Sequence, residues 1–437
     1  MALKRVLGPR DAAWLVAGNM IGAGIFVMPG LVVSQLPGLV WPLAAWLLGG
    51  LLALCGAAVY GELGARLPNA GGEYLYLAKT FGPLLGFLSG WAGMLLTFSA
   101  AAAVMANVSV RHLWAAFPAL DSAPPLLAKG LAPLFVLILV WGNAAGARVG
   151  GRATAWFTGV PLAGLIVLFG AGLLSGGTEV SWPEPVPLAE PWPKALGAAM
   201  IFVFFTYSGW NAAAYLAGEI RDPVRNLPWG LLWGTGFVAL VYMLFNLVLL
   251  LTVPADQLAG STTAGAQAAR ALLGPGAERS LAMIIAIAVL GSANVTLMAG
   301  ARVYYAMARD GLAPASLGRV NEAGVPATAL WVSGIWTALL ATLGWVEALV
   351  SWATLAMLLL SSLAVASLFV LRHRQGPAAG FRCPGYPFTP LLYLTASLGV
   401  AYASATYAPQ QSLYGLLLVL AGLPVYAVFR ARRRFFP

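Results

Sequence analysis

Residues 14–29 have the sequence WLVAGNMIGAGIFVMP, and this stretch decides the fold that we expect. Its apolar side chains suit a helix that crosses a lipid bilayer, but Gly18, Gly22 and Gly24 fall within seven positions. A glycine inside a helix costs about 1 kcal/mol relative to alanine. We therefore predict that a spanning helix unwinds at residues 22–24, near mid-membrane, and exposes backbone N–H groups that attract an anion. The alternative is that the glycines only allow neighbouring helices to pack closely.

The composition of the chain is that of a membrane protein. Of its 437 residues, 60% are hydrophobic and 9% are charged, whereas soluble domains have roughly 25% charged residues. The only histidines are His112 and His373, and the only cysteines are Cys55 and Cys383, in four separate parts of the sequence. These positions exclude a disulfide framework and a metal-dependent enzyme in the membrane, and we expect no metal and no other cofactor.

Twelve apolar runs are each close to or above the roughly 20 residues that cross a bilayer as a helix. Numbered as spans 1 to 12, they are residues 12–36, 39–65, 83–108, 126–144, 153–174, 195–217, 229–253, 279–306, 327–345, 347–371, 388–407 and 412–430. The prediction is an all-α membrane protein with twelve transmembrane helices. Because the number of spans is even, both termini lie on the same side of the membrane.

The basic residues indicate which side is cytoplasmic. Nineteen of the 24 Lys and Arg residues fall on the side of the two termini, and they include four in the C-terminal run at residues 430–434. Cytoplasmic loops carry the excess of basic residues in multi-pass proteins. We therefore predict a multi-pass protein of the cell (inner) membrane with both termini cytoplasmic. The net charge of +10 follows from this topology and from a tail that contacts anionic lipid, so no nucleic acid partner is expected.

Span 6 contains a second interruption. Residues 206–211, with the sequence TYSGWN, place small and polar residues between two apolar halves of this span. Two interrupted helices at matching positions of two halves are the sequence pattern of an inverted-repeat transporter, which has its site at the repeat interface. We predict a first repeat at residues 1–175, a second at 176–372, and two peripheral helices with a basic cytoplasmic tail at 373–437.

Several motifs resemble the amino acid–polyamine–organocation superfamily, and most closely its bacterial branch of L-type amino acid transporters. The motifs are GNMIGAGIF at residues 18–26, PNAGGEY at 68–74, YSGWN at 207–211, EIRDP at 219–223 and MARDG at 307–311. They extend over spans 1 to 8 and are specific as a set. The resemblance implies a five-plus-five inverted repeat, the LeuT-like fold, in which helices 1 and 6 are unwound at mid-membrane.

The resemblance also implies an amino acid site formed by the two breaks. The expected contacts of the substrate carboxylate are the backbone N–H groups of Gly22, Ala23, Gly24 and Ile25. Those of the substrate ammonium group are the carbonyls of Met20, Phe205 and Ser208. The ends of a broken helix have opposite partial charges, so they can hold a zwitterion without a charged side chain. Phe205 would close over the substrate, and Asn211 would be a polar contact beside it.

Other residues have two possible roles each. Trp210 offers its face to a cation or packs as a core residue, and Asn294 is a polar residue inside span 8, a placement typical of functional sites. The charges at residues 219–225 form an inner gate or a solvated helix end. Glu62 and Arg66 form a gate or mark the membrane boundary. Because the spans contain acids only at their boundaries, we expect no acid or base near the two breaks.

Two departures from the family pattern bear on the mechanism. In related proteins a lysine of helix 5 takes the place of sodium, but here Pro161 follows residues 157–160. Residues 111–125 contain no cysteine, so no disulfide-linked heavy chain is expected. We predict a secondary transporter of small, neutral L-amino acids in the plasma membrane, working by alternating access as a sodium-independent exchanger. The alternatives are a proton-coupled or cationic amino acid or polyamine transporter, a channel and, from another class, a membrane-embedded enzyme.

Overall fold

The computed structural model describes residues 3–122, 124–174, 190–343 and 346–435. Within these ranges the regular structure is helical, and the only β pairing is one parallel bridge between Leu7 and Ile220. The all-α class predicted from the apolar runs is therefore confirmed for the described part of the chain. The boundary predicted between the two repeats, at residues 175 and 176, lies outside the described residues.

The first eight helices contain the first break. They are α1 (Pro9–Met20), α2 (Gly24–Gln35), α3 (Val40–Arg66), α4 (Glu73–Phe81), α5 (Pro83–Ala92), α6 (Ser99–Ala116), α7 (Pro125–Ala144) and α8 (Ala147–Leu174). The axes of α1 and α2, which together correspond to span 1, are bent by 50°. Between α5 and α6 the chain forms a π-helical segment, Gly93–Thr97.

The next eight helices contain the second break. They are α9 (Trp192–Tyr207), α10 (Ala212–Tyr215), α11 (Pro223–Thr252), α12 (Ala255–Leu258), α13 (Ala264–Leu273), α14 (Ala277–Arg309), α15 (Ala327–Thr342) and α16 (Val346–Gln375). The helices α9 and α10 correspond to span 6, and the residues between them form turns.

Three helices complete the chain. They are α17 (Phe388–Tyr407), α18 (Pro409–Leu420) and α19 (Gly422–Phe435). Of these, α17 packs against α3, α9 and α16.

Fewer helices qualify as membrane spans than the sequence predicts. Within the described ranges, seven helices are long and apolar enough to cross a bilayer, or eight if α1 and α2 count as one bent span. Three other apolar helices, Lys129–Ala144, Trp192–Tyr207 and Ala327–Thr342, are shorter than that criterion. The structure thus has the long apolar helices of a multi-pass membrane protein, and the count of twelve spans stays a prediction.

Glycines bring neighbouring helices close to α1 on two sides. A Cβ atom added at Gly18 would lie 2.7 Å from the Oγ1 atom of Thr158 in α8. One added at Gly234 of α11 would lie 2.6 Å from the Cβ atom of Val16. Both approaches are too close for a side chain, so Gly18 serves packing. The packing interpretation does not extend to Gly22, where an added Cβ atom would meet nothing closer than 3.6 Å.

Candidate functional site

A cavity of about 160 Å³, called the central cavity below, lies between the two breaks. Seven of the ten predicted site residues border it: Met20, Gly22, Ala23, Gly24, Phe205, Ser208 and Asn211. The rest of its wall comes from several helices, with α6 giving the most residues, and includes Asn19, Glu73, Thr97, Phe98, Ala101, Val104, Met105, Val108, Thr206, Gly209, Tyr215, Ser292, Thr296 and Met357. The two breaks, almost two hundred residues apart in sequence, thus form one site.

The first break is a short non-helical link with a defined helix end on each side. Helix α1 ends at Met20, Ile21 has an extended backbone (φ −74°, ψ 90°), and α2 begins at Gly24. The first N–H groups of a helix have no intrahelical acceptor and carry a partial positive charge. The N-terminal end of α2 lies at the cavity, because Gly24 is the first residue of α2 and borders the cavity.

Asn19 connects the first break to its surroundings. Its carbonyl accepts a hydrogen bond from the Ser292 hydroxyl at 2.8 Å, and its Oδ1 atom accepts one from the Thr296 hydroxyl at 2.9 Å. Its side-chain amide donates to the carbonyl of Gly209 at 3.5 Å, a long bond. Gly209 has a φ of +99°, and a Cβ atom there would lie 2.7 Å from the Asn19 amide nitrogen. The second break therefore needs glycine at this position.

Two of the three carbonyls expected to hold an ammonium group, those of Met20 and Phe205, already accept hydrogen bonds within the protein. The Tyr242 hydroxyl donates to the carbonyl of Met20 at 2.6 Å. The N–H and the hydroxyl of Ser208 both donate to the carbonyl of Phe205, at 3.1 and 2.7 Å. Because a carbonyl oxygen has two lone pairs, the Met20 carbonyl keeps one for a ligand. The Phe205 carbonyl is the weaker candidate, since two donors already use it.

Glu73 contradicts the expectation that no acid lies near the breaks. This residue borders the central cavity, and its Oε1 atom accepts a hydrogen bond from Asn211 of the second break at 2.9 Å. Gly71 and Gly72 have φ angles of +123° and +50°, and this turn starts α4 at the cavity. The prediction was wrong because Glu73 lies outside every apolar span. Its place in the PNAGGEY motif was the one signal that could have drawn attention to it.

The other three predicted residues do not border the cavity. Ile25 is buried in the core. Trp210 packs edge-on against Tyr60 and Tyr393, with ring centroids 4.8 and 5.6 Å away. Its core-packing alternative therefore fits the structure better than a role in holding a cation.

Asn294 links three helices instead of facing the cavity. Its Oδ1 atom accepts a hydrogen bond from Asn143 of α7 at 2.8 Å, and its amide donates to the Thr154 hydroxyl of α8 at 2.9 Å. All three side chains are buried. A fully hydrogen-bonded polar side chain in a core helix holds its neighbours in register, and this is the contribution that the contacts of Asn294 support.

The charged cluster at residues 219–225 divides into a buried part and an exposed part. Glu219 is fully buried and pairs with Arg302 of α14, with nitrogen–oxygen distances of 2.7 and 3.0 Å. The carbonyl of Glu219 also accepts the N–H groups of Val6 and Leu7. Arg221 and Asp222 are exposed. The solvated alternative fits Arg221 and Asp222, and an inner gate at Glu219 stays a prediction.

A second ion-pair network holds the carboxyl-terminal end of α3. Glu62 is buried and accepts hydrogen bonds from Arg66 at 2.7 Å, from Arg372 of α16, and from the N–H of Cys383 at 2.7 Å. The guanidinium of Arg372 also stacks over the ring of Tyr386 at 3.8 Å. Glu62 therefore ties α3 to α16 and to the segment before α17, and it does more than mark a boundary.

A larger cavity of about 610 Å³ lies between α2, α13 and α14. It is bordered by Phe26, His112, Thr263, Glu278 and Arg279, and by none of the ten predicted site residues. Glu278 is partly exposed and pairs with the exposed Arg270 at 3.5 Å. A pair of this kind is screened by water, so the smaller central cavity is the better candidate site.

Several known proteins have similar sequences. A family model described as amino acid permease matches residues 7–428. The chain is 26% identical to b(0,+)-type amino acid transporter 1 of Mus musculus, over 98% of this chain and 88% of that protein. It is 29% identical to Large neutral amino acids transporter small subunit 2 of Homo sapiens, over 98% and 80%. It is 27% identical to Asc-type amino acid transporter 1 of Mus musculus, over 98% and 81%.

Proposed function

The chain belongs to the amino acid permease family, and from this premise we propose that it is a secondary transporter of small, neutral L-amino acids. The match covers nearly the whole chain and confirms the predicted superfamily. The family and the relatives above are transporters, so the alternative of a membrane-embedded enzyme is excluded. The finer assignments below, of substrate, coupling and topology, are our proposal.

The observation that carries the proposal is the pair of helix breaks on one small cavity. Residues at the N-terminal end of α2 and at the C-terminal end of α1 border it together, through Gly24 and Met20. Positive and negative ends of helices so placed suit the carboxylate and the ammonium of an amino acid. The cavity volume of about 160 Å³ is similar to that of an engineered protein cavity of about 150 Å³ that binds benzene, which favours a small substrate.

The runner-up is a transporter of cationic amino acids or amines, and Glu73 is the observation that favours it. A carboxylate at the cavity wall would attract a second positive charge on the substrate. Against this stands the size of the cavity, which leaves little room for the long side chain of lysine or arginine. We therefore keep the neutral substrate as the first proposal.

Transport assays in proteoliposomes test the substrate class. Liposomes preloaded with unlabelled L-alanine should take up labelled L-alanine faster than empty ones, as expected of an exchanger. Small neutral L-amino acids should compete, whereas their methyl esters and N-acetyl derivatives should fail, because each modification removes one charge that a helix end recognises. Strong competition by amines without a carboxylate would contradict the proposal and favour the runner-up.

The same liposomes test coupling. Pro161 has neither a charge nor a backbone N–H, and the Ser292 and Thr296 hydroxyls donate to Asn19. We therefore expect that replacement of external sodium by choline leaves uptake unchanged. An imposed proton gradient should not drive accumulation in empty liposomes. A large loss of uptake without sodium, or accumulation driven by protons, would contradict sodium-independent exchange.

The proposal also includes the location and partners of the protein. The excess of basic residues on one side supports an inner-membrane protein with both termini cytoplasmic. Cys383 is buried and Cys55 is half-buried within α3. These positions support a transporter that works without a disulfide-linked heavy chain.

A further inference from the structure

Glu73 is buried, with 7% of its surface exposed, yet it borders the central cavity. Its Oε1 atom accepts hydrogen bonds from the Tyr60 hydroxyl at 2.7 Å and from the Asn211 amide at 2.9 Å. The Asn211 amide also donates to the Tyr215 hydroxyl at 3.1 Å. The carboxyl is thus held by groups of α3 and of the second break.

In the part of the chain that the structure describes, the titratable groups that interact with Glu73 are phenols. They are Tyr60 of α3, Tyr76 of α4, Tyr215 of α10 and Tyr393 of α17. A phenol has a reference pKa of about 10, so these groups are neutral in the physiological range and supply no positive charge.

The basic side chains nearest in sequence on the helices packed against α4 are either exposed, as are Arg309 of α14 and His373 of α16, or have partners elsewhere. Arg302 of α14 pairs with Glu219, Arg372 of α16 pairs with Glu62, and Arg374 of α16 donates to the carbonyl of Thr80. An ionised Glu73 would therefore be a buried charge without a counterion, which is costly.

Two opposing influences act on the charge of this carboxyl. Burial raises the pKa of Glu73, while hydrogen bonds from Tyr60, Tyr215 and Asn211 lower it in part, and the net direction is upward. Its place in the first turn of α4 also favours the ionised form. The group can therefore exist in either form, depending on what occupies the cavity beside it.

We propose that Glu73 binds a proton when the central cavity encloses a neutral amino acid, and that this proton determines the pH dependence of transport. The inference rests on the proposed function. A zwitterion has no net charge, so closing the cavity around it would leave an ionised Glu73 without water and without a counterion. The protonated carboxyl avoids this cost.

The sign of the pH effect follows from this linkage. Because the neutral substrate binds with Glu73 protonated, affinity is highest at low pH and falls as the pH rises through the pKa of the carboxyl. In exchange of one neutral amino acid for another, the proton stays on Glu73 in both directions. Transport then moves no net proton and remains independent of an imposed proton gradient.

The test is exchange of labelled L-alanine at about pH 5.5, about 7 and about 8.5, a range in which a buried carboxyl can titrate. The pH is kept equal on both sides of the liposome membrane. Wild-type exchange at low substrate concentration should fall as the pH rises, by up to about tenfold per pH unit above the pKa of Glu73, since the protonated fraction falls by that factor.

Glu73→Gln keeps the hydrogen-bonding shape and should exchange alanine at a rate that does not depend on pH. Glu190→Gln, at an exposed glutamate, should keep the wild-type profile.

Binding to the wild-type protein in detergent gives a second measurement, as the rise in unfolding temperature that L-alanine produces at each pH. Equal affinity at all three pH values, or a Glu73→Gln variant with the wild-type profile, would overturn the inference. If Glu73→Gln fails to fold, Glu73→Asp should shift the midpoint of the profile, and an unshifted midpoint would also overturn it. A protein that binds no amino acid at any pH would instead refute the proposed function.

Discussion

At the residue scale, Gly22 and Gly24 differ in the room that each leaves for a side chain. A Cβ atom at Gly24 would lie 3.1 to 3.2 Å from atoms of Thr206, whereas one at Gly22 would meet Ser292 at an ordinary 3.6 Å. A larger side chain at either position would extend toward the cavity, but only Gly24 is already tight. Gly24, the first residue of α2, thus packs closely against Thr206 of α9.

Gly24→Val should lower alanine exchange by about tenfold or more, a loss that corresponds to about 1.4 kcal/mol of binding. The reason is that valine would push Thr206 away and cover the N–H groups at the start of α2. The measurement is exchange in proteoliposomes, with size-exclusion chromatography to show that the variant still runs as one species. Gly22→Ala should fold as the wild type does.

Gly399→Val is the matched control for this prediction. Gly399 is exposed on α17, and an added Cβ atom there would meet nothing within 4 Å. Its exchange rate should equal that of the wild type. Wild-type exchange by Gly24→Val would show that the start of α2 does not hold the substrate carboxylate.

At the element scale, the Glu219–Arg302 pair connects α14 to the segment after α10. Both side chains are fully buried, and the N-terminal residues Val6 and Leu7 bond to the same segment through the carbonyl of Glu219. The start of α1 is therefore hydrogen-bonded to the segment that leads into α11. The buried Glu219–Arg302 pair holds the same segment against α14.

Arg302→Met should lower the free energy of unfolding by about 3–5 kcal/mol, because it leaves the Glu219 carboxylate buried without a counterion. The double variant Glu219→Gln with Arg302→Met should recover much of the loss, since the unpaired charge is gone. Thermal unfolding in detergent measures both. As a control, Lys194→Met breaks an exposed pair with Glu190 and should change stability by about 1 kcal/mol or less. Equal losses in Arg302→Met and in the control would refute the role given to the buried pair.

At the scale of the whole molecule, the topology proposal assigns loops to opposite sides of the membrane. Lys194 has 72% of its side chain exposed and precedes most of α9, on the proposed outer side. Glu322 is exposed in the loop between α14 and α15, on the proposed inner side. These two positions report on orientation without disturbing a buried contact.

Single cysteines at these positions test the orientation. In a background with Cys55 and Cys383 replaced by serine, Lys194→Cys should react with a membrane-impermeant maleimide in intact cells. Glu322→Cys should react only after the membrane is permeabilised, because loops with an excess of Lys and Arg face the cytoplasm. The reverse pattern would invert the proposed topology, and labelling of both positions in intact cells would show that they lie on the same side.

The sequence by itself determined the properties that depend on local composition. Apolar runs of about 20 residues can be recognised in the sequence without knowledge of what packs against them, so the all-α membrane class followed directly. Clustered glycines at residues 18–24 and small polar residues at 206–211 weaken a helix locally. In the structure α1 ends at Met20 and α2 begins at Gly24, while α9 ends at Tyr207 and α10 begins at Ala212, so the helix ends fall close to both predicted interruptions. Unwinding of these two helices at mid-membrane stays part of the proposal.

Only the tertiary structure decided which side chains meet at the site. Glu73 reaches the cavity through a turn at Gly71 and Gly72 and bonds to Asn211, 138 residues away. Asn294 and Trp210, which the sequence also predicts as site residues, contact other helices instead. Contacts of this kind depend on how distant helices pack, and hydropathy or glycine content reports only the local chain. The proximity of an acid to the substrate cavity therefore could not be derived from the sequence.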